Sequence, residues 1–146
     1  MTLAASIVSL ALSGCTVVIT TGIFSDVSSA HGVQIVAAVA TRGSLLDTVT
    51  ARVTNTGQRT VFIPRCGTDP LLQTQQLVSG SWIDSANPAC PPGDGLNPIA
   101  LDPGLTLVAV RVVAEAGRFR FITTVGQSED FGESTRAVSN SFAISR

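Results

Sequence analysis

Alternation is what most narrows the folds open to this chain. From Thr48 to Asn55, Val49, Ala51 and Val53 point one way while Thr48, Thr50, Arg52 and Thr54 point the other. A period of two places successive side chains on opposite faces of a strand, so one face meets a core and the other meets water. The period recurs at Val33 to Ala40, where Val33, Ile35, Ala37 and Val39 share a face. It returns at Arg118 to Val125, where Phe119, Phe121, Thr123 and Val125 oppose Arg118, Arg120 and Thr124. Thr60 to Ile63, Leu71 to Val78, Trp82-Ile83, Leu105 to Ala114 and Val138 to Ile144 complete eight strand-like segments, the last with Phe142 and Ile144 inward. No stretch holds a helical period over a useful length.

Turn chemistry separates these segments. Asn55-Thr56-Gly57-Gln58 carries Asn and Gly, which tolerate left-handed backbone. Ser79-Gly80-Ser81 reads as a tight hairpin. Leu101-Asp102-Pro103-Gly104 has Pro followed by Gly, the order of a type II turn. Gly126 to Arg136, with Glu129, Asp130 and Glu133, reads as a solvated acidic loop. Short strands with turn signals every 8 to 12 residues or so predict an all-β fold, an immunoglobulin-like antiparallel β-sandwich of seven to eight strands. Three motifs carry a resemblance: Val53-Thr54-Asn55-Thr56-Gly57 before a strand, Leu101-Asp102-Pro103-Gly104 before a long apolar run, and Gly117-Arg118-Phe119-Arg120 opening the next strand. Over Val33 to Ile144 the chain resembles bacterial immunoglobulin-like domains, in which such turns and strand starts recur in this order. The resemblance implies an architecture and leaves the role open.

With 146 residues the chain has room for one domain with a real core. Charged residues make up 13%, about half the usual share, and apolar residues 45%. The net charge of −1 offers no field for nucleic acid. All basic residues are Arg.

The N-terminal stretch Leu3 to Leu12 is apolar and uncharged, too short to span a bilayer and suited to a signal-peptide core. It runs into Leu12-Ser13-Gly14-Cys15, which resembles the lipobox of bacterial lipoproteins: Leu, small, Gly, Cys. That resemblance implies cleavage before Cys15 and a diacylglycerol thioether on its sulfur. Each buried lipid methylene then contributes about 0.8 kcal/mol to membrane attachment. The implied organisation is a signal peptide at 1–14, a lipidated cysteine and tether at 15–32, and the sandwich at 33–146. The expected partners are a membrane, through the lipid anchor, and an unknown protein or envelope component. Thr16 after the cysteine favours the outer membrane where a cell has one. Two other readings stay open: a membrane-spanning helix over the uncharged Thr2 to Ser25, and a buried terminal element. The β-branched run Thr16 to Thr21, with Gly14 and Gly22 on either side, disfavours the helix.

If Cys15 carries lipid, Cys66 and Cys90 remain as an even pair in an oxidising compartment, where a disulfide is the default. The rival is a metal or catalytic thiol, but the chain has no Cys-x-x-Cys and one histidine. Cys90 sits in the one loop rich in breakers, Asp84 to Pro98, of a length (about 15 residues) at which loops are often functional. Asn87, Pro91, Pro92, Asp94 and Asn97 are its candidate binding residues, against the plainer reading of a covalently tied crossover. Asp94 and Asp102 are too far apart for a calcium loop.

His31 reads as a solvated residue of the tether. Trp82 reads as a core or disulfide-covering aromatic, or else as a ligand platform. Arg111, Arg118 and Arg120 would make a basic stripe if they shared an exposed face. The single histidine leaves Ser-His-Asp and Cys-His arrangements without a credible base, and no phosphate-binding glycine loop follows a strand. Asp84, Asp94, Asp102, Glu129, Asp130 and Glu133 are the carboxylates that a two-acid hydrolase would need, all in turns or polar loops. The expectation is therefore a non-enzymatic lipoprotein of the cell envelope, with no cofactor and no metal, whose sandwich binds or scaffolds. The alternative is a secreted protease inhibitor using the 87–97 loop. Some bacterial intracellular proteinase inhibitors look like small β-sandwiches with similar Asn-x-Gly and Pro-Gly turns, although an export signal counts against that kinship.

Overall fold

The alternation at 48–55 becomes the middle strand of a three-stranded sheet. The structure is a computed structural model, and it describes residues 29–43, 46–85, 90, 92–93 and 97–145. The signal-peptide and lipidation readings, Cys15 included, lie outside these residues. In chain order the strands are β1 (Val33–Arg42), β2 (Asp47–Asn55), β3 (Val61–Ile63), β4 (Arg65–Cys66), β5 (Asp69–Pro70) and β6 (Gln73–Val78). They continue as β7 (Ser81–Asp84), β8 (Ile99–Leu101), β9 (Thr106–Val113), β10 (Gly117–Gly126), β11 (Ser134–Val138) and β12 (Phe142–Ile144).

The smaller sheet has the order β1-β2-β9, and the larger runs β7-β6-β10-β3-β8, every pairing antiparallel. Phe119 faces both Gln76 and Phe142, and Ile122 faces both Gln73 and Val138. So β6 lies along one margin of β10, while β11 and β12 share the other. Each sheet turns one face inward. Val33, Ile35 and Ala37 of β1, Val49, Ala51 and Val53 of β2, and Phe119, Phe121 and Val125 of β10 belong to one buried cluster. The Phe142 ring lies 6.0 Å from that of Phe119 and 5.0 Å from that of Phe121. Two antiparallel layers sharing a single core form the arrangement of a β-sandwich.

The sequence reading of seven to eight strands becomes twelve among the described residues, because short pairings escape a pattern search. β4 and β5 are two-residue pieces around Gly67, and β8 is three residues after a breaker-rich loop. The expected acidic loop over 126–136 is shorter, since β10 continues through Gly126 and β11 begins at Ser134. The final strand is broken at 139–141. There the Ser139 hydroxyl, fully buried, accepts from the Phe121 amide at 2.8 Å while the Ser139 amide donates to the Phe121 carbonyl. The turns come out as read. Ser79 and Gly80 have φ of 49° and 83°, the left-handed pair that a two-residue type I′ hairpin needs. In the turn after Leu101, the Leu105 amide donates to the Asp102 carbonyl across Pro103 and Gly104, whose φ is +80°.

The apolar run at 105–114 forms a strand, as read, with most of its apolar side chains uncovered. β9 is an edge strand, and within it only Ala109 and Val113 are buried. Val108, Val110 and Val112 are 50%, 54% and 61% exposed on the outer face. They align across the sheet: Val36 with Arg52 and Val108, and Ala38 with Thr50 and Val110.

Asn55 closes β2. Its side chain is fully buried, so every polar atom needs a partner within the protein. Nδ2 donates to the carbonyls of Arg59 and Leu101, each at 2.8 Å, and Oδ1 accepts from the Gly57 amide at 2.9 Å. Its main chain joins the next turn, donating to Leu105 and accepting from Gly104. A Cβ on Gly57 would lie 3.1 Å from Asn55 Oδ1 and from the His31 carbonyl, so a side chain there would push these neighbours by a few tenths of an ångström. Asn140 does similar work at the opposite edge: its amide accepts from the Ala37 N–H at 2.8 Å and donates to the Ala37 carbonyl at 2.9 Å. It thereby stands in for a strand along β1 and ties the two sheets together.

Asn55→Ala leaves two carbonyls and one amide without their side-chain partner. It is expected to lower the unfolding free energy by about 2–4 kcal/mol. The exposed neighbour substitution Gln58→Ala is expected to stay within about 0.5 kcal/mol. Urea denaturation followed by circular dichroism distinguishes the two.

Candidate functional site

Cys66 and Cys90 form a disulfide, with Cα atoms 5.0 Å apart, as the even pair of cysteines led one to expect. Cys66 lies in the β4–β5 hairpin, where it pairs with Asp69. The bond ties Cys90 to this hairpin, which follows β3 directly in the chain. Of the candidate loop residues, Pro92 and Asn97 are described and both are exposed. Asn87, Pro91 and Asp94 lie outside the described residues, and with them most of the segment that an inhibitor would present.

The outer face of the larger sheet carries a second group of functional side chains. On β10 the even positions face outward, and register brings Gln75 of β6 opposite Arg120, and Asp84 of β7 opposite Gln75. Arg120 Nε donates to Gln75 Oε1 at 2.9 Å, and Gln75 Nε2 donates to Asp84 Oδ1 at 2.9 Å. The Arg120 guanidinium also lies over the Trp82 ring, 4.3 Å from its centroid, a cation–π contact. Trp82 is half-buried on this outer surface, so it is not a core aromatic. The cause is hairpin register: pairing Leu77 with Trp82 puts the indole on the same side as Arg120. Alternation located Arg120 on the outer face, but the indole's side depended on a pairing that no local pattern reveals.

The basic stripe divides. Arg118 and Arg120 share the outer face of β10, Arg118 donating to the Ser141 hydroxyl at 3.0 Å. Arg111 sits on the other sheet with the parity of Ala109 and Val113, and turns in to Asp69 at 3.3 Å and to the Pro70 carbonyl at 2.9 Å. Its side chain is 16% exposed, so it cannot join them.

His31 also corrects its reading as part of a tether. It occupies a tight turn with φ of 50°, followed by Gly32 at 82°, and the Val33 amide donates back to Ala30. A Cβ on Gly32 would come within 2.6 Å of Gly57 Cα, so this turn packs against the one that Asn55 holds. The imidazole Nδ1 is 2.9 Å from Gln127 Nε2. With Gln58, Arg59, Thr60 and Val61 they line an open cleft of about 330 Å³.

The described carboxylates serve local structure. Asp84 accepts from Gln75, and Asp102 accepts from the Thr60 hydroxyl at 2.6 Å. Asp130 accepts from the Ser128 hydroxyl and the Gly132 amide, and these bonds, the first above all, hold its carboxyl below the usual carboxylate range. A carboxyl shifted that way is a poor general acid. Among the described residues no three His, Cys, Asp or Glu side chains gather as a metal cluster. Comparison with known proteins finds no family model that matches the chain, and no curated protein that matches it.

The disulfide closes a 24-residue separation. Cys66→Ser/Cys90→Ser is expected to lower stability by roughly 3 kcal/mol in the chain-entropy account. The β9–β10 core should persist, so the far-ultraviolet spectrum should keep its strand signature while the urea midpoint falls.

Proposed function

We propose that this chain is a lipid-anchored extracytoplasmic protein whose immunoglobulin-like β-sandwich binds or scaffolds, without catalysis, at the cell envelope. The observation that carries the reading is the Cys66–Cys90 bond. Stable disulfides belong to oxidising compartments. With those two sulfurs joined, Cys15 is the odd cysteine, directly behind the small residues Ser13-Gly14 that a lipoprotein peptidase requires. A thioether-linked diacylglycerol there gives an exported chain with no free thiol.

The architecture is consistent with this role. Three strands, β1-β2-β9, oppose a sheet centred on β10, with β6 and β7 on one margin and β11 and β12 on the other. The antiparallel two-layer arrangement supports reading it as an immunoglobulin-like sandwich, an architecture that hosts many roles, binding among them. Two places suit binding: the loop around Cys90, held covalently and so ordered at little cost on docking, and the Trp82–Arg120 surface.

The anchor is checked in cells. The mature protein is expected to begin at Cys15, to carry the mass of acyl chains on that residue, and to sediment with membranes. Cys15→Ala should move it to the soluble or unprocessed pool. Intact-mass analysis showing an unmodified Cys15 on a membrane-free chain would overturn the reading.

A further inference from the structure

The outer face of the small sheet is unlike the rest of the surface. Val36, Val108, Val110 and Val112 are each 46–61% exposed, and Ala38 lies among them in register. Outward positions on an antiparallel sheet are ordinarily polar; β2 keeps to that with Thr48, Thr50, Arg52 and Thr54, whereas β9 presents three valines in a row of alternate positions and β1 adds Val36. The face carries no acidic side chain, although the chain as a whole has ten. Its one charge is Arg52, exposed, central, between Val36 and Val108, and with no hydrogen bond or ion pair among the described residues.

We infer that this face docks the domain on an anionic lipid bilayer, with the valines at the headgroup–acyl boundary and Arg52 on a lipid phosphate. The inference rests on the lipid-anchor reading for its local concentration. Charge complementarity favours this occupant: valines on the two flanking strands, a lone guanidinium among threonines on the central one, and no carboxylate to repel an anionic surface are the elements of interfacial binding. The arginine stem can lie along the valines while its head reaches the phosphate layer.

The chain's geometry agrees. The first described residue, Ser29, stands fourteen positions after Cys15. Even a fully extended link of that length reaches no more than about 50 Å. The anchor would add to the face's own weak affinity by presenting it to the membrane at the high effective concentration that a short tether gives.

A second copy of the chain is the weaker occupant. At ordinary strand spacing and rise the face covers on the order of 350 Å². Two such faces bury well under the roughly 1,200 Å² of a stable interface. A two-fold stacking would also bring the Arg52 side chains toward each other. Pairing through the edge of β9 is obstructed as well, since Arg111 Nη1 occupies the Val110 carbonyl at 2.9 Å and its other arm reaches Pro70.

The test places a polarity-sensitive fluorophore on a single thiol in the full-length chain. Cys15→Ser/Val110→Cys puts the label on the face, and Cys15→Ser/Asp84→Cys puts it on the outer surface of the other sheet. Phosphatidylcholine vesicles with and without phosphatidylglycerol are the probe. The label at 110 is expected to shift to the blue with phosphatidylglycerol vesicles, while the label at 84 does not. Adding Arg52→Glu should weaken the shift's lipid dependence roughly tenfold or more. Equal behaviour at the two positions would overturn the inference. So would a shift at 110 that grows with protein concentration in the absence of lipid, accompanied by a dimer in sedimentation. Because Cys15 is replaced in both chains, this outcome is independent of acylation, which intact mass judges separately.

Discussion

The Asn55 carboxamide is shut away from water, so its position is fixed by what it can reach. Its two donors take the carbonyls of Arg59 and Leu101, and its acceptor takes the Gly57 amide. One residue therefore joins the end of β2, the turn that follows, the end of β8, and through its main chain the turn into β9. The His31-Gly32 turn then packs on Gly57. Asn140 is the counterpart at the far edge, bonded to both main-chain groups of Ala37. Between these two amides the layers are held in a fixed relation, and the apolar interior packs within it. A buried unpaired amide group costs several times what a satisfied one contributes, so such positions tolerate few substitutes.

Much of this was legible because strands advertise themselves through period and turns through chemistry. Val49, Ala51 and Val53 are buried as their spacing requires, and Ser79-Gly80 and Pro103-Gly104 turn as their residues dictate. What stayed hidden depended on pairing across the chain. Asn55 was read as a turn former, but its weight comes from Leu101, 46 positions away. Trp82 reads as a core or disulfide-covering aromatic or as a ligand platform, and only hairpin register places it on the outer face under Arg120. The 105–114 run reads as a long, strongly apolar strand, with nothing local to say which face is covered. Its place at a sheet edge leaves Val108, Val110 and Val112 uncovered. The disulfide, by contrast, needed only the parity of the cysteines and an oxidising compartment.

The two outer surfaces divide the chemistry between them. The larger sheet presents Trp82, Arg120, Gln75 and Asp84, linked by hydrogen bonds and a ring contact across three strands. The smaller presents valines on its flanking strands, with Arg52 among threonines between them. On the proposed lipid-attached reading, one side would face the membrane and the other a partner. The opposed layers of a sandwich supply two such sides without any moving part.

The functional account depends on how three sulfurs are divided: one in a thioether to lipid, two in a bond to each other. Counting reactive thiols tests that division most directly. Protein isolated from its native membranes under acid quench, denatured and alkylated, should take up no label. After reduction it should take up two, at Cys66 and Cys90. Any label at Cys15 in either condition, or label at all three cysteines before reduction, would contradict the account.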